Sequence, residues 1–171
     1  MINKCILLLL VTTFTTVTNI SSQNDLLTQR NKKALDKAIE KNFDQPPGET
    51  WETTRTGNED KEICIVKIVS EEKNKPAGWG VIAKAKGRRE YFDFMVLFNK
   101  QKEIKHIEII KYRSSHGYQI TSKRWLRDFK GLTAAEPIQI GDHVDGISGA
   151  TLSSHGLVKA LNKILPLIDK F

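Results

Sequence analysis

Four short segments of β-type sequence follow one another and constrain the fold more than any other feature. They are Glu62–Ser70, Gly78–Lys86, Tyr91–Phe98 and Ile104–Tyr112. In the third segment, apolar residues recur at every second position, which places them on one face of a strand: Phe92, Phe94, Val96 and Phe98. Because the turns between the segments are too short for a helical crossover, the strands predict an antiparallel meander with one face buried.

Three helices are predicted around this sheet. Asn24–Phe43 carries apolar residues at spacings of three and four, which is typical of an amphipathic helix. Ser122–Lys130 predicts a short central helix, and a short strand is expected after it. A final helix is expected from about Ser154, with Pro166 kinking or shortening its end. The expected fold class is α+β, an antiparallel β-sheet meander with N-terminal, central and C-terminal helices packed on it.

The first 22 residues are typical of a secretory signal peptide. Lys4 precedes an apolar, threonine-rich run that ends near Val17, and small polar residues follow up to Ser22. The alternative, an uncleaved anchor, is disfavoured because the run is shorter than the roughly 20 residues that span a bilayer. Cleavage after Ser22 would leave residues 23–171 as one domain. We therefore expect an exported protein, in the periplasm or at the outer face of the cytoplasmic membrane.

Composition excludes several classes of protein. The 39% of hydrophobic and 27% of charged residues fit a soluble globular domain. With two cysteines, Cys5 and Cys64, the chain cannot form a disulfide-stapled scaffold or a four-cysteine zinc site, and burial is the expected fate of Cys64. The net charge of +7 permits an anionic partner. Its Lys and Arg residues are spread among acids, so nucleic-acid binding is not expected.

A loop rich in small residues leads into the final helix and is the strongest candidate for a functional site. It reads Asp145-Gly146-Ile147-Ser148-Gly149-Ala150-Thr151-Leu152-Ser153-Ser154. Glycines allow a ligand to approach the backbone closely, and unpaired amides at a helix start attract anions. The alternative interpretation is an ordinary capped turn, in which Ser153 or Ser154 is the N-cap.

The segment Asp145–Thr151 resembles the flavinylation motif of the FMN-binding domain family. That family includes subunits of sodium-pumping quinone reductase and of a related ferredoxin-linked redox pump. The resemblance implies that FMN is the cofactor and that a flavin transferase esterifies its phosphate to Thr151. It also implies that the remaining motif residues present this threonine and hold the cofactor: Asp145, Gly146, Ser148, Gly149 and Ala150, with Leu152 and Ser153 beside them.

A second segment, Tyr112–Ile120, resembles the central turn of the same family. Ser114 and Ser115 stand where that turn commonly carries Glu-Thr, so no role of the acid is carried over. Ser115, His116 and Gly117 are expected to line the flavin from this turn. Tyr118 and Trp125 are candidates for an aromatic wall beside the flavin ring, and ordinary core packing is the alternative for both. The resemblance covers roughly residues 78–168.

The resemblance implies an electron-transfer protein rather than a self-contained enzyme, with a membrane redox partner or another donor and acceptor. The alternative is a sensory or scaffold module that binds FMN without covalent attachment. A serine hydrolase is disfavoured because Ala150 stands where the nucleophile elbow has its last glycine, and because His155 precedes Asp169. The four histidines lack paired ligand spacing, so no metal site is expected: His106, His116, His143 and His155.

Overall fold

The computed structural model describes residues 28–43, 53–56, 63–69 and 76–171, and within them five strands form one sheet. The strands are β1 (Thr53–Thr56), β2 (Ile63–Val69), β3 (Pro76–Lys86), β4 (Tyr91–Asn99) and β5 (Ile104–Lys111). Each strand pairs antiparallel with the next, so the order in the sheet is the order in the chain. The predicted meander and the α+β class are therefore confirmed, while the predicted signal peptide lies outside the described residues.

The sheet has one strand more than the four that the sequence predicts. β1 pairs with β2 so that Thr53 lies opposite Val66 and Thr56 lies opposite Ile63. The sequence of β1, Thr-Thr-Arg-Thr, contains no alternation of apolar and polar residues. Because the ladder is formed by backbone groups, a strand at the edge of a sheet can form without that alternation.

Among the described residues, three α-helices accompany the sheet: α1 (Gln29–Phe43), α2 (Lys123–Leu126) and α3 (Thr151–Ile168). α1 begins later than the predicted start at Asn24, because Thr28 caps it by accepting a hydrogen bond at Oγ1 from the N–H of Asn31 (3.3 Å). Within the described segments, no helix is both long enough and apolar enough to cross a membrane.

The expected single central helix is wrong in its detail. α2 is one turn long and lies between two 3₁₀ turns, Tyr118–Thr121 and Arg127–Phe129. The backbone of Ser122 leaves the helical region between the first turn and α2 (φ −59°, ψ 116°). The expected short strand is only an isolated parallel bridge between Ile140 and Val144.

The last helix also differs from its prediction at both ends. α3 starts at Thr151 rather than near Ser154 and includes Pro166 without ending there. It starts early because the carbonyl oxygen of Ala150 already accepts the first helical hydrogen bond, from the N–H of Ser154 (2.9 Å). A proline near the end of a helix removes one hydrogen bond of the last turns, and α3 nevertheless continues to Ile168.

Both faces of the sheet are buried, so the expectation of one buried face is wrong. α3 and the central turns cover one face, where the predicted alternate residues of β4 lie: Phe92, Phe94, Val96 and Phe98. α1 covers the other face with Leu35, Ala38 and Ile39 against residues such as Met95 and Leu97. Alternation would place polar residues at positions 95 and 97, but Met95 and Leu97 are apolar. This was the overlooked sequence signal for a second buried face. Cys64 is fully buried under α1, as expected.

Asp36 in α1 provides a pH-dependent stability prediction. Its Oδ1 atom is buried without a hydrogen-bond partner among the described residues. Burial raises the pKa of this carboxyl above its ordinary value of 3.8, although the charge of Lys32 opposes the effect. An acid whose pKa is raised by folding favours the folded state at low pH, and this contribution is lost as the pH rises through the raised pKa.

Asp36→Asn is therefore expected to raise the free energy of unfolding at pH 7, by less than about 1 kcal/mol because water partly screens the group. At about pH 3 the wild-type carboxyl is itself protonated, so the gain should be close to zero. Urea unfolding of both proteins at the two pH values measures the difference. An equal gain at both pH values would show that the charge of Asp36 is not its cause.

Candidate functional site

The start of α3 is a helix terminus that no side chain caps. Ala150 is the N-cap and has no side-chain oxygen to offer, and the first turn of α3 contains no acidic residue. Thr151, the first helical residue, is exposed. The amides of Thr151, Leu152 and Ser153 precede the first helical hydrogen bond, so the partial positive charge of the helix start remains available to an anion.

The two serines that an ordinary capped turn would use lie inside the helix. Ser153 is 2% exposed and Ser154 is 1% exposed. The Ser154 hydroxyl donates to the carbonyl oxygen of Thr151 (2.8 Å) and is therefore directed into the first turn rather than to its free amides. The capped-turn interpretation is wrong, because neither hydroxyl acts as the N-cap.

A chain of hydroxyl hydrogen bonds joins this helix start to the central turn. The Tyr112 hydroxyl donates to the carbonyl oxygen of His116 (2.6 Å), and it lies 2.8 Å from the Ser153 hydroxyl. Because a phenol has one proton, the Ser153 hydroxyl must be the donor in the second bond. The structure thus brings the segment at Ser115–Tyr118 against the motif, although the two are far apart in the chain.

Gly117 shows how closely the two segments approach each other. Its backbone has a φ of 83°, and it is buried. A Cβ atom at this position would lie 2.6 Å from the Tyr112 hydroxyl and 3.2 Å from the Ser153 hydroxyl. A side chain at position 117 would therefore be strained and would force the turn away from α3.

Trp125 anchors the motif loop through a hydrogen bond to the backbone of its first residue. Its indole N–H donates to the carbonyl oxygen of Asp145 (2.7 Å), and its ring meets Phe129 edge-on with centroids 4.9 Å apart. Trp125 is 6% exposed and belongs to the core. For this residue the core-packing alternative is the correct one.

Tyr118 has the opposite environment. It is 66% exposed, and its ring packs in a T-shaped arrangement with that of Tyr112, at a centroid distance of 6.2 Å. Leu152, directly after Thr151, is 57% exposed. These two residues and Phe171 are the large hydrophobic side chains that are exposed within the described ranges. Exposed apolar side chains on both segments provide surface on which a flat aromatic ring can pack.

The remaining predicted residues lie at the surface of the two loops. Within the motif, Asp145, Gly146, Ser148 and Gly149 are exposed, and Ala150 is buried. In the turn, the Ser115 hydroxyl lies 3.0 Å from His116 Nδ1, and both residues are exposed. The cofactor contacts of the individual residues stay predictions.

Arg113 fixes the beginning of the central turn. Its guanidinium group donates to both carboxylate oxygens of Asp93, at 3.0 and 2.7 Å, and to the carbonyl oxygen of Tyr91 (3.0 Å). Asp93 is 4% exposed, so this is a largely desolvated ion pair with bidentate geometry. The pair orients the turn on β4.

His143 contacts two other residues of the loop at 136–144. Its Nε2 atom lies 3.0 Å from Glu136, and its Nδ1 atom accepts a hydrogen bond from the N–H of Gln139 (3.3 Å). Across the part of the chain that the structure describes, no group of three potential ligands is placed to hold a metal ion. His143 therefore contributes to the conformation of the loop at 136–144.

The geometry defines a small α+β domain with an open helix start and exposed apolar side chains, and these are features that suit an anionic aromatic ligand. Residues 87–166 match the family model described as the FMN-binding domain. Residues 87–166 thus match the family that the motif suggested, and FMN is the cofactor that this match supports. The match begins at the turn before β4 and includes the central turn, the motif and most of α3. No curated protein matches the chain.

Three residues of the site were missed by sequence reasoning. Tyr112 joins the turn to α3, and Gln119 packs its side-chain amide against Gly149, where a Cβ would lie 3.1 Å from Nε2. Gly156 allows α3 to contact the end of β3. Tyr112 and Gln119 lie in the segment that resembles the central turn of the family, and Gly156 carried a signal of its own, because an isolated glycine within a helical pattern often marks a close packing contact.

Trp125→Phe tests the anchoring of the motif loop. The substitution keeps an aromatic ring and removes one buried hydrogen bond, so we expect a loss of about 1–2 kcal/mol in the free energy of unfolding. We also expect faster hydrogen exchange at the backbone amides of Gly146–Gly149.

Asn162→Leu is the matched control for this substitution. Asn162 also bonds to the backbone, at Ile138, with distances of 2.8 and 3.0 Å, but it does not touch the motif. The Asn162→Leu substitution should lower the free energy of unfolding and leave hydrogen exchange in the motif unchanged. Equal exchange rates in the Trp125 variant and the wild type would contradict the anchoring role.

Proposed function

We propose that this protein is an exported electron-transfer flavoprotein whose FMN is attached through its phosphate to Thr151. The observation that carries the proposal is the position of Thr151 as the exposed first residue of an uncapped eighteen-residue helix. A phosphoester at this residue would lie at the positive end of the helix dipole, beside amides that need acceptors.

The residues around Thr151 fit the other parts of the cofactor. Tyr118 and Leu152 offer exposed apolar surface to the flavin ring. Ser115 and His116 offer polar groups from the opposing turn, and the exposed hydroxyl of Ser148 lies in the motif itself. When bound, FMN supplies reversible electron transfer, and the protein's part is to hold the ring and to tune its surroundings.

The proposed partners follow from this role. A flavin transferase would attach the cofactor, and the motif Asp145–Thr151 would be the segment that it recognises. A membrane redox partner, or another electron donor and acceptor, would then exchange electrons with the bound flavin. The proposed compartment is the periplasm or the outer face of the cytoplasmic membrane, on the basis of the sequence of residues 1–22.

The experiment that tests the proposal is expression with and without a flavin transferase, followed by denaturation. Denatured protein from the host with the transferase should be fluorescent on a gel and heavier by one FMN phosphoester. Protein from the host without it should be colourless after denaturation. If FMN is released on denaturation in both cases, the non-covalent sensory or scaffold module is the correct alternative.

A further inference from the structure

A basic groove runs along the outer edge of β5, and its lining includes no residue of the motif or of the turn at 112–120. It has a volume of about 540 Å³ and lies between α1, β5 and the segment from Thr121 to Lys130. Six basic side chains line it: Lys37, Lys41, Lys105, Lys123, Arg127 and Lys130. Glu108 is the one acidic residue among those that line the groove. The charge of the groove is therefore strongly positive.

Lysines from both sides of the sheet converge on this groove. Glu108 lies in the middle of β5, where His106 Nε2 is 3.4 Å from its carboxylate. The hydrogen bond from His106 lowers the pKa of Glu108 against the effect of burial, and the charges of Lys123 and Lys37 lower it further. Lys37 belongs to α1 and Lys123 to α2, so the two helices present cations to one strip of strand.

The strand at the floor of the groove is the edge of the sheet. β5 pairs with β4 on its inner side and is the last strand in the order. At its ends, Ile104 bonds to the backbone of Leu132 and Gly131, and the carbonyl oxygen of Ile110 accepts from Arg30 (3.5 Å). Between these ends, no other described strand pairs with β5. Outward backbone groups of an edge strand can accept a further strand.

We propose that this groove docks an extended acidic segment of a partner protein, which adds to β5 as a sixth strand. Side chains of a strand point alternately to its two faces, so successive carboxylates would face α1 and then α2. That alternation matches cations on both walls, with Lys37 and Lys41 on one and Lys123 and Arg127 on the other. A flat membrane surface would meet the rims and not the strand at the floor.

The test measures binding of a fluorescein-labelled ten-residue peptide of alternating Glu and Asp to the purified, FMN-loaded protein. We expect saturable binding that weakens by about fivefold or more in Lys37→Gln/Lys123→Gln, since two ion pairs are lost. The matched control is Lys159→Gln/Lys163→Gln, two exposed lysines of α3 outside the groove. It removes the same charge from outside the groove, so it should bind within about twofold of the wild type.

A second peptide separates strand addition from general attraction between charges. The same sequence with every backbone amide N-methylated keeps every carboxylate but cannot donate a hydrogen bond to β5 from either edge, so we expect binding weaker by about tenfold. Equal binding of both peptides, or an equal loss in the two lysine variants, would overturn the proposal. It would also be overturned if phosphatidylglycerol vesicles bound in a Lys37- and Lys123-dependent manner while the peptide did not bind.

Discussion

Thr151→Val is expected to abolish covalent flavin attachment while leaving the fold intact. Valine has nearly the shape of threonine, and position 151 is exposed, so the cost in stability should be within about 0.5 kcal/mol. Without a hydroxyl, no phosphoester can form at this residue. After expression with a flavin transferase and denaturation, the variant should show no fluorescent band and only the mass of the polypeptide.

Thr151→Ser is the matched control for this experiment. It retains a hydroxyl at the first position of α3 and should therefore retain covalently attached flavin. A transferase that contacts the methyl group of threonine would attach less flavin to serine. If Thr151→Val still carries covalent flavin, another hydroxyl of the motif is the acceptor. Peptide mapping would then distinguish the exposed Ser148 from the buried Ser153.

Gly156→Ala is expected to destabilise the protein by about 3 kcal/mol. A Cβ at this position would overlap the backbone carbonyl oxygen of Lys86 and lie 2.9 Å from its carbonyl carbon. Backbone atoms of β3 cannot rotate away as a flexible side chain would, so α3 or the end of the strand must shift. Urea unfolding measures the change in the free energy of unfolding.

His155→Ala controls for helix propensity, because His155 is the exposed neighbour of Gly156 in the same helix. Its stability should change by less than about 0.5 kcal/mol. In a helix without close packing, glycine to alanine stabilises by about 1 kcal/mol. A stabilised Gly156→Ala protein would therefore show that the close approach of α3 to β3 does not constrain this position.

Local patterns were enough to predict most of the fold. Segments of β-type sequence located β2 to β5, with alternation in the segment that forms β4, and the apolar spacing within residues 24–43 located α1. The patterns failed where backbone pairing or distant packing decided the outcome. β1 has no alternation, and the second buried face of β4 depends on α1, which comes from a separate part of the chain. The start of α3 was misplaced because a backbone carbonyl, rather than a serine, begins its hydrogen bonds.

By itself, the sequence determined the position of the candidate site along the chain. The motif Asp145–Thr151 and its place before a helix are local features, and the family match over residues 87–166 agrees with them. Only the tertiary structure decided that Gly117 lies against Ser153, that Trp125 is buried and that Tyr118 is exposed. These facts depend on contacts between segments distant in the chain, whose distances are set by how the helices and the sheet pack together.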